Sequence, residues 1–114
     1  MNLNQKNVLD YFETTFNQHR PALAAERYLN TVYTHHGPHP MLGADSFVSY
    51  FESFFEKFPK FSVSVQGCMA QDDFVILYVR AKKDESDSGH TAIEVYRLKD
   101  GRIAEHWDVL PANL

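Results

Sequence analysis

The most constraining feature of the sequence is the stretch 91–110, in which two alternating runs flank Asp100 and Gly101. An Asp-Gly pair between alternating apolar residues is one of the strongest local signals for a β-hairpin, because its turn needs residues that accept positive φ. With these two residues as the turn, we expect four cross-strand pairs: Lys99 with Arg102, Leu98 with Ile103, Tyr96 with Glu105, and Glu94 with Trp107.

The period of two then assigns the side chains of the hairpin to two faces of a sheet. One face combines apolar and aromatic residues with two carboxylates: Glu94, Tyr96, Leu98, Ile103, Glu105, Trp107 and Val109. The other face takes Ile93, Val95, Arg97, Ala104, His106 and Asp108. An unpaired charge is costly in a dry core, so the face with Glu94 and Glu105 is typical of a pocket wall. A β-bulge would exchange Glu105 and Trp107 for His106 and Asp108, so Asp108 is also a candidate.

Helical periodicity precedes the strands. Apolar residues recur every three or four positions over 4–18 and 44–58, and a short segment over 21–29 begins with proline. We expect Asn4 to cap the first helix, and Asp45 or Ser46 to cap the third. The period then changes to two over 61–66 and 74–82. Helices followed by four antiparallel strands predict an α+β domain, with the helices packed on one face of a curved sheet.

Composition limits the class of protein. A chain of 114 residues is expected to form one domain over 1–114. Its net charge of −4 gives no general attraction to nucleic acid or to anionic lipid. The longest apolar run has the length of a strand, so no membrane span is expected. The single cysteine, Cys68, and the polar N-terminus fit a protein of the reducing cytoplasm.

Three closely spaced histidines are the first candidates for chemistry. His35, His36 and His39 lie next to glycine and proline, so we expect them on a loop or a brief extended segment. Histidine titrates near neutral pH, and at least one of the three could face a pocket. Exposed or structural loop histidines are the alternative. The three lack the helical spacing of the common zinc motif, so we expect no metal.

The carboxylates of the hairpin are the second candidates. Glu94 and Glu105 could act as general acid and base, since an apolar environment moves a carboxyl group toward the working pH range. The alternative is that both are solvated, or neutralised by Arg27 or Arg80. On the other face, an interface group of His106, Asp108 and Arg97 is favoured over a catalytic dyad, because no Ser or Cys nucleophile is evident. Motifs for nucleotide binding, serine hydrolysis and thiol redox chemistry are missing from the sequence.

Two segments of the chain are similar to a known family: YLNTVYTHHGPHP and, after a helix beginning near Gly43, VYRLKDGRIAEHWDVL. They resemble the SnoaL-like polyketide cyclases, which share the fold of nuclear transport factor two. The resemblance implies a cone-shaped α+β barrel with a deep pocket, and a homodimer formed through the outer surface of the sheet. It also implies a cofactor-free reaction, in which a pocket carboxylate removes a proton α to a carbonyl.

The resemblance implies roles for individual residues as well. Tyr33 and His36 match the family's Tyr-x-x-His-x-Pro loop, and Trp107 matches the tryptophan of its tail. The general acid/base Asp of the cyclases falls at Pro111, which cannot titrate, and Gly37 stands where the family often has Asn.

The sequence therefore predicts a cofactor-independent enzyme that cyclises or isomerises a small apolar carbonyl compound. The candidate catalytic residues are His36, Glu94, Glu105 and Asp108, and the candidate substrate-binding residues are Tyr33, His39, Tyr96 and Trp107. Catalysis itself stays open at this point. The alternatives are a non-catalytic module that binds a small hydrophobic ligand in the same pocket, and a dimerisation unit whose cavity is incidental.

Overall fold

Over the described residues, 1–37 and 40–111, three helices pack against one six-stranded sheet in this computed structural model. The helices are α1 (Leu3–Phe16), α2 (Pro21–Tyr28) and α3 (Gly43–Lys57). The strands are β1 (Leu29–His36), β2 (Met41–Leu42), β3 (Ser62–Gln71), β4 (Phe74–Lys82), β5 (His90–Lys99) and β6 (Arg102–Val109). The predicted α+β class, with helices on a curved and mostly antiparallel sheet, is confirmed; the sheet does not close.

The strand order is β2-β1-β6-β5-β4-β3, so β3 to β6 form the predicted antiparallel meander. Strand β1 adds to this meander by pairing parallel to β6, and β2 pairs antiparallel to β1. The predicted loop or brief extended segment for the histidines is thus a full strand as far as His36. The β-branched residues Thr31, Val32 and Thr34 favour extended backbone, and Gly37 follows only at the end of the strand.

The first helix is capped by Asn2 and not by the predicted Asn4. The side chain of Asn2 accepts a hydrogen bond from the backbone N–H of Gln5, and the side chain of Gln5 accepts one from the backbone N–H of Asn2, both at 2.8 Å. This reciprocal pair is a capping box, which satisfies two N–H groups that the helix leaves free at its start.

The third helix begins at Gly43, before the predicted caps Asp45 and Ser46. Gly43 has a φ of 82°, which lets the backbone turn directly from β2 into the helix. Of the phenylalanines of this helix, Phe47 and Phe55 are buried in the core. The ring of Phe47 is fully buried and lies 5.8 Å from the ring of Tyr11 and 5.9 Å from that of Tyr33.

The core lies between the helices and the concave face of the sheet. Its largest fully buried side chains come from α1, α3 and the middle strands: Val8, Tyr11, Thr15, Tyr33, Phe47, Val75, Leu77, Val79, Tyr96, Leu98 and Ile103. No helix in the described part of the chain is long and apolar enough to cross a membrane.

The hairpin turn forms as predicted, with a φ of 53° at Asp100 and 78° at Gly101. The two pairs nearest the turn are also confirmed: Lys99 with Arg102 and Leu98 with Ile103. Beyond them the register shifts, because Arg97 pairs with Glu105 and leaves Ala104 as an extra residue in β6. This is a β-bulge.

The bulge corrects the predicted faces of β6. Tyr96 pairs with His106 and not with Glu105, and Glu94 pairs with Asp108 and not with Trp107. A shift of one residue moves all later side chains of a strand to the opposite face. His106 and Asp108 therefore share the concave face with Glu94, and the predicted position of Glu105 and Trp107 on that face is wrong.

Candidate functional site

Four polar side chains meet on the concave face and form what we call the polar cluster: His35, Glu94, His106 and Asp108. Strand register brings them together, because His35 pairs with His106 across β1 and β6, and Glu94 pairs with Asp108 across β5 and β6. His35, Glu94 and His106 are only 5%, 9% and 5% exposed. Buried charges are costly unless they are paired, so the pairing within the cluster determines its chemistry.

His106 and Glu94 form the tightest pair of the cluster. The Nε2 atom of His106 lies 2.5 Å from Oε2 of Glu94. A carboxylate only accepts hydrogen bonds, so the Nε2–H of His106 donates; when the ring is neutral, its Nδ1 atom carries the lone pair. The ring of Tyr96 stacks on this imidazole at a centroid distance of 4.3 Å. His106 is thus held in one tautomer and one orientation.

His35 and Asp108 form a looser pair. The Nε2 atom of His35 lies 3.3 Å from Oδ2 of Asp108, and the ring of His35 stacks on that of His106 at 4.5 Å. Burial alone would raise the pKa of Asp108, but the interaction with His35 and the charges of His106 and His35 hold this pKa below its ordinary value. Among the described residues, the Nδ1 atom of His35 and the Oδ1 atom of Asp108 have no hydrogen-bond partner. Buried polar atoms without a partner are rare in folded proteins, and a bound water or ion is a common explanation for them.

Gly37 lies directly against the looser pair. A Cβ atom at this position would collide with Oδ1 of Asp108 and would come within 3.1 Å of Nε2 of His35. The glycine thus leaves space beside these atoms that another residue would fill.

Three buried tyrosines surround the cluster. The hydroxyls of Tyr11, Tyr33 and Tyr96 are buried, and Tyr11 interacts with the other two. Burial raises the pKa of each of the three, and the charge of Glu94 raises it further. These hydroxyls therefore stay protonated and can donate a hydrogen bond to an incoming oxygen atom.

The outer face of the sheet carries a second polar group, made of His36, Arg97, Glu105 and Trp107. Glu105 accepts hydrogen bonds from Arg97 Nε at 2.6 Å and from His36 Nε2 at 2.9 Å, and the ring of Trp107 stacks on His36 at 5.0 Å. The hydrogen bond from Arg97, followed by that from His36, lowers the pKa of Glu105. The charge of Glu105 is thus neutralised by Arg97, and not by the predicted Arg27 or Arg80.

The structure separates the predicted site residues into two groups. Glu94 and Asp108 meet in the polar cluster, and Tyr33 and Tyr96 lie buried next to it. His36, Glu105 and Trp107 lie together on the outer face, so they do not share a site with Glu94. His39 lies outside the described residues.

Sequence reasoning missed His35 and His106 as members of one site. The sequence predicted an interface group of His106, Asp108 and Arg97. This prediction is wrong for Arg97, because Arg97 bonds to Glu105 on the outer face. The parallel pairing of β1 with β6 brings the two histidines together, and no turn signal in the sequence marks that pairing.

Two open clefts lie on the helical side of the molecule. One, of about 530 Å³, is lined by His19–Leu23 and by the C-terminal half of α3. The other, of about 460 Å³, lies between α2 and the start of α3. Neither cleft includes a residue of the polar cluster, so the deep pocket above the cluster stays a prediction.

The three helices on a curved sheet, with titratable side chains on its concave face, define a class of α+β proteins. Within this class the family can be stated. The family model described as SnoaL-like domain matches residues 8–106, and the chain belongs to the SnoaL-like family. No protein with a curated description matches the chain.

Solved structures from bacteria have the same fold. A candidate polyketide cyclase from Acidithiobacillus ferrooxidans is 14% identical with a TM-score of 0.83, over 98% of this chain and 90% of that one. A candidate isomerase of the SnoaL-like family from Agrobacterium tumefaciens is 16% identical with a TM-score of 0.81, over 98% and 100%. IdmH, a candidate polyketide cyclase from Streptomyces antibioticus, is 16% identical with a TM-score of 0.74, over 93% and 90%. At such low identity these similarities show the fold alone.

Proposed function

We propose that this protein is an acid–base enzyme that removes a proton α to the carbonyl of a small apolar compound, without a cofactor. The observation that carries the proposal is the buried pair of His106 and Glu94, 2.5 Å apart on the concave face. A histidine oriented by a carboxylate is a common general base, since the carboxylate also stabilises the imidazolium that forms. The family membership and the polyketide cyclase names of two structural relatives support the same class of reaction.

In this proposal the Nδ1 atom of His106 takes the α-proton, and the electrons of the broken C–H bond form the enolate. Glu94 stays ionised and holds the new charge on His106 through its hydrogen bond. The hydroxyls of Tyr33 and Tyr96 donate to the enolate oxygen, as buried donors can. The enolate carbon then attacks a second carbonyl of the substrate, and the alkoxide that forms takes the proton back from His106, which gives cyclisation. Alternatively, His106 returns the proton to another carbon of the enolate, which gives isomerisation.

Proton abstraction can be tested before the natural substrate is known. We expect the protein to catalyse exchange of α-protons for deuterium in a panel of apolar ketones and β-diketones in D₂O, followed by proton NMR. Glu94→Gln should slow this exchange by about 10²- to 10⁴-fold, because the amide cannot stabilise the imidazolium. Glu105→Gln makes the same chemical change on the outer face and should leave the rate unchanged.

Two outcomes would contradict the proposal. One is a folded Glu94→Gln protein that exchanges α-protons at the wild-type rate. The other is a wild-type protein that exchanges none of the panel, although it binds members of it.

A non-catalytic module that binds a small apolar ligand is the second candidate function. It is favoured by Pro111, which occupies the position where the resemblance to cyclases places an acid/base Asp. A ligand that is retained in native mass spectra and never converted, with no exchange of its α-protons, would support this function over the enzyme.

We further propose that the protein is a homodimer whose subunits meet through the outer face of the sheet. An apolar row crosses this face in register: Met69, Ile76, Val95 and Trp107. Large apolar side chains flank the row and remain exposed, namely Phe74, Tyr78 and Val109. A continuous apolar sheet face is rare on a monomer, and a flat patch of this kind can pair with a second copy of itself.

A further inference from the structure

We propose that His35, His106 and Asp108 form a binding site for one divalent transition-metal ion, such as Zn²⁺ or Co²⁺. One ligating atom from each of the three residues lies within 4.8 Å of the others. Two imidazoles and a carboxylate are a donor set that such ions prefer, with metal–ligand distances of about 2.0–2.2 Å. The expectation of no metal considered only the three neighbouring histidines. The sheet brings one of these, His35, next to His106 and Asp108, which lie about 70 positions further along the chain.

The unpartnered atoms of the cluster support a bound cation. The Nδ1 atom of His35 and the Oδ1 atom of Asp108 lack a hydrogen-bond partner among the described residues, and the side chain of His35 is only 6% exposed. Leaving such atoms unsatisfied in a buried place is unfavourable. A cation between the ring nitrogen and the carboxylate would satisfy both, and Gly37 leaves room beside them.

Glu94 supplies the outer support that metal-binding histidines usually have. It accepts the Nε2–H of His106, so the Nδ1 atom of that ring is the one available to a metal. A carboxylate behind a ligating histidine fixes the orientation of the ring and increases its basicity. The charges also balance, because the two carboxylates of the cluster together offset a divalent ion.

The metal site does not rest on the proposed reaction and goes beyond it. A metal on Nδ1 of His106 would occupy the lone pair that proton abstraction uses. Metal binding and proton transfer are therefore alternative states of the same cluster. Binding is tested by spectroscopy alone, so its failure leaves the proposed reaction untouched.

The test is a titration of the chelator-treated full chain with Co²⁺, followed by the visible absorption of the bound ion. We expect one equivalent to bind, Zn²⁺ to displace it, and the thermal midpoint of unfolding to rise. His35→Ala and Asp108→Asn should abolish stoichiometric binding. Glu94→Gln should weaken it by about 10- to 100-fold, as loss of an outer-shell partner does.

The control is His36→Ala, which removes the neighbouring histidine on the outer face and should bind as the wild type does. NMR of the histidine rings in the wild-type protein gives a second readout that needs no variant. Zn²⁺ should shift the signals of His35 and His106 and leave those of His36 and His19 in place. The proposal is overturned if the wild type binds no stoichiometric metal, if His35→Ala and Asp108→Asn both bind it normally, or if Zn²⁺ leaves the two inner rings unchanged.

Discussion

At the scale of single residues, two glutamates on opposite faces of one hairpin have very different surroundings. Glu94 is buried and depends on one partner, His106, at 2.5 Å. Glu105 is half-exposed and shares its charge between Arg97 and His36. The same side chain is thus part of a buried pair in one place and of a solvated ion-pair network in the other. Solvent screening makes the second arrangement much less important for stability.

This contrast gives a prediction for stability. Glu94→Ala should lower the free energy of unfolding by about 1–3 kcal/mol, because it leaves the Nε2–H of His106 buried without an acceptor. Glu105→Ala removes the same side chain from the outer face and should cost at most about 1 kcal/mol. Urea unfolding followed by circular dichroism measures both values. Equal losses for the two variants would show that the buried pair contributes no more than the exposed one.

At the scale of elements, two residues compete as the N-cap of the first helix, namely Asn2 and the predicted Asn4. Asn2 and Gln5 form the capping box, and Asn4 lies inside the helix. Asn2→Ala should therefore lower the free energy of unfolding by about 0.5–2 kcal/mol, as the loss of an N-cap does. Asn4→Ala should have little effect, because alanine is the better helix former. Thermal unfolding of the two variants compares them, and a larger loss for Asn4→Ala would place the cap at Asn4.

The elements also show what the sequence can and cannot predict. Period and turn chemistry predicted the three helices, the meander and the Asp100-Gly101 turn, since these signals are local. The bulge at Ala104 has no such signal, because an alanine fits a regular strand as well as an extra position. This one extra residue exchanges Glu105 for His106 on the concave face, which is the alternative expected if a bulge interrupts the strand.

The candidate site was predicted in part for the same physical reason. Glu94 and Tyr96 were identified because alternation within a strand is a local property, and Tyr33 was identified from the resemblance to the family. The meeting of His35 with His106 depends on parallel pairing between strands that are far apart in sequence, and alternation within one strand does not specify its partner. The resemblance to the SnoaL-like family gave the class of fold correctly, but the roles that it implies for His36 and Trp107 remain predictions.

At the scale of the whole molecule, the two faces of the sheet have different surroundings. The concave face is covered by the helices of the same chain. The outer face presents the apolar row through Val95 and Trp107, with neighbours such as Tyr78 still 42% exposed. Burying this apolar face against a second copy removes apolar area from water, which is the main favourable term in association. A homodimer would cover what a single chain leaves exposed.

Val95→Glu tests this assembly, because it places a carboxylate in the middle of the apolar row. The same substitution occurs in both subunits, so two like charges would meet across the interface and each would lose water. We expect light scattering to give twice the mass of one chain for the wild type and a single chain for Val95→Glu. Ser53→Glu adds the same charge on an exposed position of α3 and should remain dimeric.

A monomeric wild type would rule out the dimer and with it the interpretation of the domain as a dimerisation unit. A dimeric Val95→Glu protein would place the interface elsewhere.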